Sequence, residues 1–144
     1  TKTQNQTLPN HLTSAVTFDS VTHQSTDNVI TYNSTNSNFV LTNIGVYEVS
    51  FSVIFQGDTD AANRRVHFEC SDSPTKHYAY HSDHQAAGGH DNIRFTTIDF
   101  VKVSTANSTI TVYAYQSNAD GSTSQFLSGS ADNLNTRICI RQVA

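Results

Sequence analysis

The chain has 144 residues and a mass of 15.8 kDa, enough to bury one hydrophobic core and too little for two. Only 14% of residues are charged, and Ser, Thr and Asn fill much of the remainder, a profile of short strands and polar turns that disfavours helices. A net charge of −4 provides no basic stripe for a phosphate backbone, and no apolar run approaches the ~18 residues of a membrane span, so neither nucleic acid nor membrane insertion is expected.

Residues 1–12 are polar and are predicted to be a linker or the end of a stalk, with one domain over 13–144. The first strand is predicted over Ala15–Val21, followed by Val29–Tyr32 and Phe39–Leu41 before a turn at Asn43-Ile44-Gly45. Val46–Gln56 carries the clearest signal: Tyr47, Val49, Phe51, Val53 and Phe55 fall on one face, while the other is mostly polar with Ile54 as the exception. Further strands are predicted over Arg64–Cys70, His77–His81, Ile93–Val103, Thr109–Gln116, Gln125–Ser128 and Arg137–Val143. In Ile93–Val103 the apolar phase slips at Ile98 and Phe100, which predicts a bulge or burial on both faces; an oligomer interface would impose the second. About ten strands at regular spacing point to an all-β sandwich or jelly roll of two facing antiparallel sheets.

Cys70 and Cys139 lack the close Cys or His neighbours of a zinc site. Cys70 alternates with Val66 and Phe68, whereas Cys139 lies between Ile138 and Ile140, so two packed thiols and a single bridge both stand as readings.

Asp27, Tyr32, Phe39, Gly45, Tyr47 and Phe51 sit at the spacings of a signature, and the apolar run Ile138-Cys139-Ile140 lies almost at the C-terminus. In these positions the chain resembles the globular heads of the complement C1q and tumour-necrosis-factor family, with Val21 and Val49 where that family has Phe. The resemblance implies a jelly-roll homotrimer on a stalk, one sheet facing the threefold axis and recognition by outer loops. Similar heads close bacterial collagen-like surface proteins and some phage or virus fibres. The implied setting is extracellular, on a cell, spore or virion.

His77, His81, His84 and His90, with Asp83 and Asp91, form the densest cluster of metal-ligating residue types. On one strand His77 and His81 would stand about 13 Å apart, too far to share an ion. Only one of these histidines meeting its copies on a threefold axis would make a metal site, and no cofactor is otherwise required. Tyr78, Tyr80, Tyr113 and Tyr115, alternating in strands, read first as packing in the core or at an interface; with Asn118 and Asp120 they also suit a sugar, whose apolar face stacks on rings while its hydroxyls bond amides and carboxylates. Arg64 and Arg65, with Arg94, Arg137 and Arg141, read as surface or intersubunit pairs or as a patch for an anion such as an acidic glycan. No Gly-x-Ser-x-Gly, no His-Glu-x-x-His and no phosphate-cradling glycine loop is present, so an enzyme is not expected. The expected function is a trimeric head of a fibre, spike or collagen-like protein that attaches to a surface glycan or protein receptor. The alternatives are a purely structural trimerisation cap, and a monomeric carbohydrate-binding module or glycan-active enzyme.

Overall fold

A computed structural model of the chain describes residues 1–20, 29–56, 61–81, 93–118, 125–127 and 136–144. Among them the strands are β1 (Gln6–Leu8), β2 (Thr13–Ala15), β3 (Ile30–Asn33), β4 (Asn38–Leu41), β5 (Gly45–Gln56), β6 (Ala61–Cys70), β7 (Ser73–Tyr78), β8 (Tyr80–His81), β9 (Ile93–Val103), β10 (Ser108–Asn118), β11 (Gln125–Leu127) and β12 (Arg137–Gln142). They form two antiparallel sheets. One runs β1-β11-β5-β9-β8, with β12 also on β5; the other runs β3-β4-β10-β6-β7, with β2 also on β10.

β5 organises the first sheet. Its alternation places Tyr47, Val49, Phe51, Val53 and Phe55 in the core, opposite Val66, Phe68 and Cys70 of β6 and Ile110, Val112 and Ala114 of β10. Phe51 and Phe68 meet edge to face across the gap, ring centroids 6.2 Å apart, which closes the sheets over each other. The Tyr47 hydroxyl donates to the Asn43 carbonyl at 2.8 Å, so this fully buried ring keeps its polar end satisfied. Ile54 is buried but stands outside the core cluster, as its opposite phase requires.

Gly45 has a different task from the turn-making expected of it. It is the first residue of β5, and a side chain there would run into the Ala144 carbonyl oxygen and lie 2.6 Å from Gln142 Nε2. The missing Cβ lets the C-terminal residues lie against the start of β5, where Val143 N–H donates to the Val46 carbonyl at 2.8 Å.

Four expectations need correction. Residues 1–12 are part of the sandwich: β1 pairs with β11, Leu8 is fully buried, and the Lys2 ammonium reaches the Thr17 carbonyl at 3.0 Å and hydroxyl at 2.8 Å. The first predicted strand is displaced, because β2 ends at Ala15, and Val21 lies outside the described residues. His77–His81 is not one strand: the chain leaves β7 after Tyr78 and enters the opposite sheet at Tyr80, with only Ala79 between them. β9 carries no bulge, since its register with β5 runs unbroken from Ile93↔Phe55 to Val103↔Gly45. The phase slip is instead a set of apolar side chains left on the outside, Ile98 and Phe100.

Candidate functional site

The sandwich has two outer faces, and their chemistry differs. On the sheet containing β5, cross-strand register builds three outward rows: Arg141–Glu48–Phe100, Cys139–Ser50–Ile98 and Arg137–Ser52–Thr96. Ile98 is 69% exposed and Phe100 56%. Beside them is an open hollow of about 260 Å³ over Ser50, Ser52, Thr96, Arg137 and Cys139. At its flank, Arg141 Nη2 pairs with Glu48 Oε2 at 2.7 Å. Cys139 lies exposed on this face while Cys70 lies buried in the core of the other sheet, so both thiols are free and no bridge joins them.

The other outer face is built from β2, β10, β6 and β7. Its rows are Ala15–Tyr113–His67–Tyr78, Thr13–Tyr115–Arg65 and Thr111–Glu69–Lys76. His67 is sandwiched between two rings: Tyr113 stacks on it with centroids 5.4 Å apart and planes 23° from parallel, and Tyr78 lies at 5.2 Å on the other side. The Arg65 guanidinium lies over the Tyr115 ring, 4.5 Å from its centroid. Tyr78 remains 49% exposed at the sheet edge.

Electrostatics along this face follow from the same rows. His67 Nε2 lies 3.1 Å from Glu69 Oε1, and Lys76 Nζ lies 2.9 Å from the same oxygen. Burial pushes the His67 imidazolium below its ordinary range; the Glu69 hydrogen bond opposes this, while Lys76 and Arg65 reinforce it. The neutral ring that results donates from Nε2 to Glu69. Lys76 in turn holds the Glu69 carboxyl below its usual value. Two cations and one carboxylate therefore share this face with a neutral histidine, on a chain whose total charge is −4.

Several residues expected at a site are placed differently. Arg64 and Arg65, adjacent in sequence, point to opposite faces of β6: Arg65 lies over Tyr115 outside, and Arg64 lies 5.8 Å from the Phe55 ring of the core. They cannot form one patch. Tyr78 belongs to the ring row, but Tyr80 has passed to the opposite sheet, and its side chain lies outside the described residues. Asn118 ends β10 with its side chain likewise outside them, as is the whole of Asp120.

His77 points between the sheets. Its ring stacks on Phe68 with centroids 4.4 Å apart and planes 5° from parallel, and its Nδ1 lies 2.6 Å from Asp99 Oδ2 of β9. That hydrogen bond holds the Asp99 carboxyl below its ordinary range. Such a ring ties β7 to β9 within one chain and is not presented to copies on an axis. His81 is on β8, and His84 and His90 lie outside the described residues. Among the described residues no three His, Cys, Asp or Glu side chains group to hold a metal.

From sequence His67 reads as a lone strand histidine, a surface or satisfied residue, and Glu69 and Lys76 draw no attention, although the signal was present. The alternation that sends Val66, Phe68 and Cys70 inward sends Arg65, His67 and Glu69 outward. No family model matches the chain, and no curated protein matches it in sequence.

Proposed function

We propose that the chain is a jelly-roll head of the C1q and tumour-necrosis-factor kind, assembled as a homotrimer at an extracellular surface and used to bind a glycan or protein receptor. One observation carries the reading: Ile98 and Phe100, two residues apart on β9, stand exposed together on the outer face of the sheet containing β5. The face with Ile98 and Phe100 exposes large apolar side chains beside a hollow over two serines, an arrangement of knob and socket on one surface. Water is a poor solvent for such a patch, and copies of the same chain supply both complementary parts, as a closed ring with rotational symmetry requires. With that face covered by copies, the face with the ring row is the one left to meet a ligand.

Strand connectivity supports the jelly roll. From β4 onward the chain changes sheet at β4 to β5, β5 to β6, β7 to β8, β9 to β10 and β10 to β11, while β6 and β7 form a hairpin within one sheet. This alternation is how a jelly roll winds two Greek keys into facing sheets.

The solution mass, measured by light scattering behind a sizing column, tests the assembly. Three times the 15.8 kDa chain mass is expected at micromolar concentration. A monomer would overturn the trimeric head and leave a single sandwich whose ring row acts alone, as in a carbohydrate-binding module.

A further inference from the structure

We infer that the strip beside Tyr113 and Tyr115 on the β2–β10–β6 face binds a sugar bearing a carboxylate, with Arg65 as the group that recognises the acid. This rests on the reading of that face as the ligand-facing side of the head.

The row structure defines the strip. Tyr113 has one ring face covered by His67, but the residue opposite it on β2 is Ala15, which offers only a methyl group. Two residues along β10, Tyr115 stands opposite Thr13, a small exposed residue with a hydroxyl. Short side chains on β2 therefore leave the β2 side of both rings uncovered by their cross-strand neighbours. Stacking of C–H groups on an aromatic face and a hydroxyl within reach are what a pyranose ring uses.

Charge selects among sugars. Lys76 is engaged by Glu69 and Arg141 by Glu48 on the other face. Among the described residues no carboxylate pairs with Arg65, whose described partner is the Tyr115 ring. A guanidinium resting on an aromatic plane keeps its N–H groups directed outward within its own plane, the geometry that pairs with a carboxylate through two hydrogen bonds. The ring also restricts the guanidinium before a ligand arrives, which lowers the ordering cost of binding. Among the described residues, Arg65 is the cation of this face with no carboxylate beside it, which matches the single charge of a carboxylate, while Glu69, held by Lys76 and His67, disfavours a more highly charged anion nearby.

The test is a titration of the intact assembly by NMR, following tyrosine and histidine ring resonances. The probes are sialyllactose and a glucuronic-acid oligosaccharide, each beside its neutral counterpart, lactose and the carboxyl-reduced oligosaccharide. At least one acidic probe is expected to bind at least about tenfold more tightly than its counterpart. Arg65→Ala should abolish that preference without changing the solution mass, and Arg65→Lys should restore only part of it. Tyr115→Ala should weaken the acidic and neutral sugars together. Equal binding of acidic and neutral probes, an unchanged preference in Arg65→Ala, or preference for an acidic peptide over all four sugars would overturn the inference. If the trimer forms and none of the sugars binds, the acidic-sugar site fails while the assembly reading stands; a monomeric mass with sugar binding intact gives the reverse.

Discussion

If the proposed trimer is built on the β5–β9–β12 face, Ile98→Glu is expected to convert it into folded monomers. Within one chain the substitution costs little, because Ile98 is 69% exposed and stands outside the core cluster; exposed changes of this kind usually alter stability by within about 0.5 kcal/mol. In the assembly each copy would bury a carboxylate among Ser50, Cys139 and a neighbour's apolar surface, at an effective penalty of several kcal/mol per ion. Summed over three copies, this exceeds what the loss of one isoleucine contact per copy would cost. Light scattering should report a single-chain mass with an unchanged far-ultraviolet spectrum. Lowering the pH toward the carboxylate range should favour reassembly, since the protonated side chain carries no charge to bury. A variant that keeps the mass of the unaltered protein would place the interface elsewhere.

Phe51→Ala is expected to lower the unfolding free energy by about 3–5 kcal/mol, a large share of the roughly 5–15 kcal/mol that holds a domain folded. Phe51 is 4% exposed and touches Phe68 edge-on at the point where the sheets meet. Phe68 in turn carries the His77 ring, and His77 carries Asp99. A cavity at Phe51 would thus loosen a column that spans β5, β6, β7 and β9, and packing of this density relaxes only in part around a void. Urea unfolding, followed at a fixed protein concentration because the proposed assembly would add to apparent stability, measures the effect. A loss below about 1 kcal/mol would mean that Phe51 is not a core residue.

Both predictions rest on β5 and β9, and the sequence was legible to different depths in the two strands. β5 reads correctly because one face is buried and the other is not, so hydrophobicity alternates with the pleat. β9 misleads because Ile98 and Phe100 break that alternation while the backbone register stays regular. The proposed assembly would account for their exposure, and periodicity cannot distinguish such a face from a bulge. β1 was missed for another reason. Gln6-Thr7-Leu8 has one apolar residue, and the segment around it is held by long-range polar bonds: Gln6 clamps the Ala15 carbonyl at 2.7 Å and the Thr17 N–H at 2.9 Å, and Asp19 accepts the Thr3 and Gln4 N–H groups. Bonds of that kind leave no periodic trace. They also explain how a lysine, Lys2, lies buried with its ammonium on Thr17.

The ring face was legible only in fragments. Tyr78, Tyr113, Tyr115 and Arg65 are residues whose chemistry draws attention in isolation, but their relation depends on three strand registers that no local pattern reveals. His67 needs the same registers to become the centre of a stack. Arg64 was grouped with Arg65 by adjacency, which on a strand separates two side chains instead of joining them.

The most direct measurement of the central claim, that the β5–β9–β12 face is covered by copies of the chain, is a count of reactive thiols. Cys70 is buried in the core, where desolvation pushes its thiol above the usual range and suppresses the reactive thiolate. Cys139 is exposed on one chain and sits in the row with Ser50 and Ile98. In the proposed assembly neither thiol should react promptly with a bulky disulfide reagent. The Ile98→Glu monomer should release one equivalent and the unfolded chain two. Prompt reaction of Cys139 in the unaltered native protein, at the rate seen in the unfolded chain, would show that face open to solvent and contradict the account.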